Sequence, residues 1–293
     1  MTHKAGFVNI IGNPNVGKST IMNSMVGEKL SIVTPKAQTT RHRILGIVSG
    51  DNYQIVFSDT PGILKPNYKL HKSMLKQVDE AIEDADIILY ITDVNESIDK
   101  NKNYIEKLKD SPITKLIIIN KTDLIDKEKL DSLIANCKNI FPESEVIGTS
   151  AIKGINIIET YKKIIELLPE NPPFYPKDEL TDKPLRFFVA ETIREKIFLN
   201  YGKEIPYSVE IGIDSYTEGD DLDKIKAIIY VERESQKGII IGHKGQELKK
   251  IGIQARQEIE KITGKKVFLE LNVKIAKNWK ESDKFLRKFG YQL

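Results

Sequence analysis

The sequence predicts an α/β domain, with a mixed, mainly parallel sheet and helices on both faces, followed by a smaller α+β domain. Three observations lead there. An apolar strand runs into a glycine-rich loop and a helix over residues 7–26. Three later apolar stretches each end in a short polar motif. A proline cluster at 172–176 then precedes a part of the chain whose charge turns basic. The 293 residues exceed one typical unit, and 40% apolar content supports compact cores.

The first element is Gly12-Asn13-Pro14-Asn15-Val16-Gly17-Lys18-Ser19, which fits G-x-x-x-x-G-K-[ST]. In that pattern the glycines let backbone N–H groups wrap phosphate oxygens, the lysine reaches the β- and γ-phosphates, and the hydroxyl binds Mg²⁺. Phe7 to Ile11 reads as the buried strand before the loop. Lys18 to Val26, with Thr20 in its first turn, reads as the helix whose positive end faces the anion.

The second element, Asp59-Thr60-Pro61-Gly62, ends the apolar stretch Tyr53 to Phe57. A carboxylate at that strand tip can hold a metal-bound water, and the Gly62 N–H can meet a γ-phosphate. The third, Asn120-Lys121-Thr122-Asp123, follows the strand Leu116 to Ile119. Asp123 can accept from the ring N–H and the exocyclic amine of guanine, neither of which adenine offers there, so the spacing favours GTP over ATP. The fourth, Ser150-Ala151 with Lys153 and Gly154 after Glu145 to Thr149, supplies a main-chain N–H behind the base. Between the first two lies Gln38-Thr39-Thr40-Arg41, a polar segment able to order around metal and phosphate. Thr40 is preferred to Thr39 as the hydroxyl that joins Ser19 and Asp59 around Mg²⁺.

These five elements, in order over about half of the chain, are similar to those of the translation-factor-related bacterial GTPases. The run Lys36-Ala37-Gln38-Thr39-Thr40-Arg41-His42-Arg43 resembles the switch region of the Era family. One departure from the Ras-like pattern bears on mechanism: Ile63 follows Gly62 where Ras-type enzymes carry a water-orienting glutamine. Slow intrinsic turnover is therefore expected, with Lys18, Thr40, Gly62 and Mg²⁺ performing the chemistry and a partner or monovalent cation completing the site. Asn15 is similar in position to the asparagine by which some related GTPases hold an activating K⁺. Arg41 and Arg43 are rival sources of that positive charge.

Proline at 172, 173 and 176 breaks any helix after Leu168, so the expected organisation is a first domain over 1–173, a linker over 174–183 and a second domain over 184–293. The single cysteine, Cys137, excludes an internal disulfide and falls on the apolar face Leu130, Leu133, Ile134 as core filler. The four histidines have no metal-ligand spacing. The start Met1-Thr2-His3-Lys4 lacks the apolar stretch of a secretory signal and no later run approaches bilayer-spanning length, so a cytoplasmic protein is expected.

The net charge of +3 conceals an asymmetry: residues 226–293 carry sixteen Lys or Arg against eight Asp or Glu. Such a surplus suits a polyanion, RNA or a lipid surface. Within it, Gly242-His243-Lys244-Gly245 precedes a helix with Leu248, Ile251, Ala255, Ile259 and Ile262 on one face. Two glycines allow close approach of a sugar-phosphate backbone, as in the GXXG loop of a KH domain. Strands are expected at Tyr207 to Ile213 and Ile228 to Glu232 before it, and Val267 to Ile275 after it. This order resembles the type II KH arrangement, and a GTPase joined to such a domain is the Era layout.

That resemblance implies a bacterial GTPase that binds a single-stranded segment near the 3′ end of small-subunit ribosomal RNA and assists maturation of the small subunit. Ile241, Gly242, His243, Lys244 and Gly245 would meet the RNA backbone, Lys249 and Lys250 would add phosphate contacts, and a groove beside Ile240 and Ile241 would receive bases. Trp279, Leu286 and Phe289 read as a final amphipathic segment packed on its own domain, ahead of RNA stacking or peripheral membrane contact. Rival readings are a signalling GTPase whose second domain grips a protein or membrane, and an RNA-modifying enzyme gated by GTP. The latter has no nucleophilic cysteine or cofactor loop in the second half.

Overall fold

The computed structural model describes residues 2–292, with backbone only at 98 and 99. The chain divides into two compact units, Met1–Lys65 with Met74–Asp182, and Pro66–Ser73 with Lys183–Leu293.

In the first unit, β1 (Lys4–Gly12) leads through the glycine-rich loop into α1 (Lys18–Val26). The chain continues through β2 (Ile44–Ser49), β3 (Tyr53–Asp59), α2 (Lys69–Glu83, of which 69–73 are assigned to the second unit), β4 (Ile87–Asp93), α3 (Lys102–Asp110), β5 (Thr114–Asn120), α4 (Lys127–Ile140), β6 (Glu145–Gly148) and α5 (Ile157–Leu167). The six strands lie in the order β2-β3-β1-β4-β5-β6. All neighbours pair parallel except β2 with β3, which is antiparallel. Near-continuous apolar runs in β1, β4 and β5 are buried along most of their length, as strands covered on both faces require. The functional loops leave the C-terminal tips of the parallel strands, where such sheets bind ligands. Cys137 lies in the core with Tyr90, Phe141 and Ile63.

Residues 174–182, expected as linker, are part of the first unit. The buried Gln54 side chain accepts from the N–H groups of Phe174 and Tyr175 at 2.7 and 3.0 Å and donates to the Tyr175 carbonyl at 2.9 Å. Further along, Ile47 N–H donates to the Leu180 carbonyl at 2.8 Å, and Leu45 N–H donates to Asp182 Oδ1 at 3.0 Å.

The second unit contains α6 (Leu185–Asn200), the short α7 (Ile205–Ser208), β7 (Glu210–Thr217), β8 (Leu222–Val231), α8 (Glu234–Ile241), α9 (Gln246–Thr263), β9 (Lys266–Ile275) and α10 (Asp283–Lys288). Its sheet runs β7-β8-β9, with β7 antiparallel and β9 parallel to β8. Three expectations change. Tyr207 and Ser208 belong to α7, so the strand starts later. A helix, α8, stands between β8 and the GXXG turn, despite three consecutive isoleucines. Its entry is fixed by Gln236 Oε1, which accepts from the N–H groups of Glu232 and Arg233 at 3.0 Å each. On α9, Ile251, Ala255 and Ile259 are buried and Leu248 packs beside them, whereas Ile262, near the helix end, is 44% exposed.

The segment after β9 packs on its own unit, as expected. Trp279 is fully buried, and its indole N–H donates to the Ser208 carbonyl at 2.9 Å. Phe289 meets it edge-on, with Leu286 buried alongside. Among the described residues no helix is long and apolar enough to cross a membrane.

Candidate functional site

A cleft of about 410 Å³ opens at the C-terminal tips of β1, β3, β5 and β6. Its lining includes Pro14, Asn15, Gly17, Lys18, Ser19 and Thr20 from the first motif, Thr39 and Thr40, Gly62, then Asn120, Lys121, Asp123, Ser150 and Ala151. The five sequence elements therefore meet in one place. Gly17 permits the loop's turn into α1: its φ is +99°, and a side chain there would overlap the Asn120 amide.

At the phosphate end, Lys18 is buried and donates to the main-chain carbonyls of Gly12 and Asn13 at 3.0 and 2.9 Å. Burial lowers its pKa to about 8, against the opposing pull of Asp59 and then Glu96. Ser19 Oγ stands 2.6 Å from Asp59 Oδ2 and 2.9 Å from Thr40 Oγ1, and Thr40 Oγ1 is 3.4 Å from the same carboxylate oxygen. Thr39 instead pairs with Thr34 Oγ1 at 2.6 Å and the Lys36 carbonyl at 2.7 Å. Gly62 lies against the Pro14 backbone, where no side chain would fit without a shift.

Asp59 is fully buried, and its Oδ1 has no hydrogen-bond partner among the described residues. Burial raises its pKa, while the Ser19 hydroxyl and the Lys18 ammonium hold it down. A buried carboxylate with an unpaired oxygen beside two converging hydroxyls is an oxygen-donor set suited to Mg²⁺. Ser19, Thr40 and Asp59 could thus hold that ion.

At the base end, Ser150 Oγ donates to Asp123 Oδ1 at 2.5 Å, and the Ala151 N–H donates to Asn120 Oδ1 at 3.1 Å. Asp123 is exposed in the cleft, so its desolvation would come with the base. Lys121, at φ +65°, reaches back to the Asn15 carbonyl at 2.7 Å and pairs with Asp93. Lys153 does not line the cleft; its N–H donates to Ser150 Oγ at 3.3 Å. Gly12, Asn13, Val16, Asp59, Thr60 and Pro61 likewise do not line the cleft. Sequence reasoning missed Ile32, Val33 and Ile152, which give the cleft an apolar wall. Ile152 is 80% exposed and Val33 41%; a β-branched residue directly after Ser150-Ala151 was the available signal. Ile63 is buried in the core and does not line the cleft. Asn15 Nδ2 donates to the Pro35 carbonyl at 3.2 Å.

In the second unit, Gly242 and Gly245 have φ +71° and +78°, and Lys244 +50°. His243, Lys244, Lys249 and Lys250 are exposed, and Ile241 is half-buried. The space a side chain would occupy at Gly245 is open, whereas at Gly242 it would meet Glu247. Ile240 cannot line a base groove, because it is wholly buried in the core; Ile239, 47% exposed, on α8 and Ile253, 43% exposed, on α9 are open, as is Ile262 near the end of α9.

The fold and cleft define a P-loop GTPase joined to a KH-type unit. A family model described as a 50S ribosome-binding GTPase matches residues 7–121, and a KH domain model matches residues 204–280. GTPase Era of Caldanaerobacter subterraneus subsp. tengcongensis is 43% identical, covering 100% of this chain and 99% of that protein. GTPase Era of Geotalea daltonii is 44% identical, with 98% of each covered. The chain belongs to the Era family of GTPases, and it is a GTP-hydrolysing enzyme. A crystal structure of Era in complex with MgGDPNP and nucleotides 1506–1542 of 16S ribosomal RNA superposes with a TM-score of 0.95 at 42% identity, covering 99% of this chain and 100% of that one. A crystal structure of an Aquifex aeolicus Era variant bound to GDP·AlF4⁻ gives 0.95 at 41%, with the same shares covered.

Proposed function

We propose that this protein is a GTP-driven switch that binds the 3′ region of small-subunit ribosomal RNA through its second unit and assists maturation of the small ribosomal subunit. The observation that carries the reading is the end-to-end likeness to an Era that holds both MgGDPNP and that RNA.

In this reading Lys18 and the loop N–H groups from Asn13 to Thr20 cradle the phosphates. Ser19, Thr40 and Asp59 hold Mg²⁺, which neutralises charge between the β- and γ-phosphates when bound. The N–H of Gly62, in the turn Thr60-Pro61-Gly62, meets the γ-phosphate. Asp123 reads guanine, with Asn120, Lys121, Ser150, Ala151 and Lys153 shaping the loop around it. Ile63 gives no help to the attacking water, so turnover is slow until a partner or cation completes the site. Asn15 is the proposed K⁺ ligand; equal turnover in potassium and sodium buffers of matched ionic strength would remove that ion from the scheme.

Gly242 to Gly245 admit the RNA backbone, Ile241 flanks the loop, and Lys244, Lys249 and Lys250 neutralise phosphates. Base edges, not charge, supply selectivity. The proposal includes a cytoplasmic site of action, with the same basic face available for peripheral membrane contact.

Crosslinking the GTP-bound protein to cellular RNA and sequencing the attached fragments tests it. Enrichment of the small-subunit 3′ end, lost in a Gly242→Asp, Gly245→Asp variant that still binds GTP, is the expected result. Enrichment that survives those changes would remove the GXXG turn from the mechanism.

A further inference from the structure

Behind the phosphate loop, on the side away from the cleft, Asn13 is 1% exposed. Its amide nitrogen donates to Glu96 Oε1 at 2.9 Å, and its amide oxygen accepts from Asn101 Nδ2. Thr92 Oγ1 donates to the same Glu96 oxygen at 3.4 Å. The Glu96 side chain, 11% exposed, is thus turned in from the end of β4 under the loop. Asn13 faces two ways: its side chain is held by Glu96 and Asn101, while its main-chain carbonyl accepts from Lys18 Nζ. The ion pair from Lys100 reaches Glu96 at 3.5 Å from a side chain 60% exposed, so it is weak and screened.

We propose that Glu96 is a positioning residue for GTP hydrolysis: through the Asn13 side chain it fixes the carbonyl that aims the Lys18 ammonium at the phosphates. It does not line the cleft and acts through Asn13. Two properties of the carboxylate separate cleanly. As a hydrogen-bond acceptor it can be replaced by a glutamine oxygen. As a charge it opposes the phosphates and draws on Lys18, after Asp59. Positioning requires the acceptor and does not require the charge. The inference rests on the phosphate-loop reading of residues 12–19.

The test compares the full-length wild type with Glu96→Ala, Glu96→Gln, Asn13→Ala and the Asn13→Ala, Glu96→Ala double variant. Single-turnover GTP hydrolysis, affinities for fluorescent GTP and GDP, and thermal melting are measured on each. Glu96→Ala and Asn13→Ala should each lose roughly tenfold in the hydrolysis constant at saturating GTP, the loss expected when a buried acceptor is removed. Glu96→Gln should restore it, and the double variant should be no worse than either single one, because both break the same link. Wild-type hydrolysis in Glu96→Ala would overturn the proposal, as would additive losses in the double variant. Glu96→Gln as defective as Glu96→Ala would do the same, since it would trace the effect to charge. If Glu96→Ala does not fold, wild-type hydrolysis in Asn13→Ala, or a Glu96→Gln variant as defective as Asn13→Ala, would still overturn the proposal. Failure of the wild type to bind GTP would instead sink the phosphate-loop reading itself, before any variant is compared.

Discussion

Asn120 donates through its side-chain amide to the Val16 carbonyl at 2.8 Å, and so fastens the loop Asn120-Lys121-Thr122-Asp123 to the loop that runs from Gly12 to Ser19. Its oxygen meanwhile accepts from Ala151 N–H and, at 3.3 Å, from Thr149 Oγ1, so one 3%-exposed side chain joins three of the five motifs. Asn120→Ala leaves those buried groups unpaired at about 1–3 kcal/mol each. Equilibrium titration with fluorescent GDP is expected to register a loss of affinity of tenfold or more, roughly 1.4 kcal/mol per decade. Gly17→Ala should reproduce the defect by pushing the same amide aside.

In the proposed reading Asp123 offers guanine two acceptor oxygens, and Asp123→Asn replaces one of them with a donor. Xanthine presents a carbonyl where guanine has its exocyclic amine, so the variant should favour xanthosine triphosphate. Competition binding with the two triphosphates checks this. A variant that keeps its preference for GTP would show that recognition lies elsewhere.

Lys18 gives a pH dependence of definite sign. In the protein without nucleotide its pKa is lowered to about 8, so the ammonium that attracts phosphate is depleted above that pH. GTP affinity should fall from about pH 8 upward, and calorimetry in buffers of differing ionisation heat should detect proton uptake on binding. For folding the sign is opposite. The unfolded chain holds the Lys18 proton up to about 10.4, the folded one only to about 8, so this group's contribution to stability improves as pH rises through that interval.

Trp279 is the only tryptophan, and it is buried. Its emission should therefore be blue-shifted, resistant to iodide quenching, and a report on unfolding of the second unit alone. Trp279→Ala should destabilise that unit by about 3–5 kcal/mol, through lost packing and an unpaired Ser208 carbonyl. Denaturant melts followed by circular dichroism measure it. Strong iodide quenching in the native protein would contradict the packing described.

The nucleotide cleft was legible because each motif couples a strand tip to residues that few other chemistries require together. Thr40 could be preferred to Thr39 in the sequence, but only the Ser19 and Asp59 distances separate them. The GXXG turn was legible and its entrance was not. Three β-branched isoleucines suggest extension, and only the Gln236 cap together with burial of Ile240 explains α8. Strand β2 was missed because six residues after a polar loop carry little periodicity, and its pairing with β3 is a tertiary fact. The Glu96 contact was invisible because residues 13, 96 and 101 meet only after the sheet has assembled.

Strand β2 ends the sheet, and an outermost strand with unpaired N–H and C=O groups is a template for another chain. Leu180 and Asp182 engage the Ile47 and Leu45 amides, and Gln54 fastens the proline-rich run that brings them there. That stretch is therefore a sheath as well as a connection. A fragment stopped at residue 173 would keep all five nucleotide motifs, yet it would carry an uncovered margin and self-associate with rising concentration. One carried through Asp182 would stay monomeric.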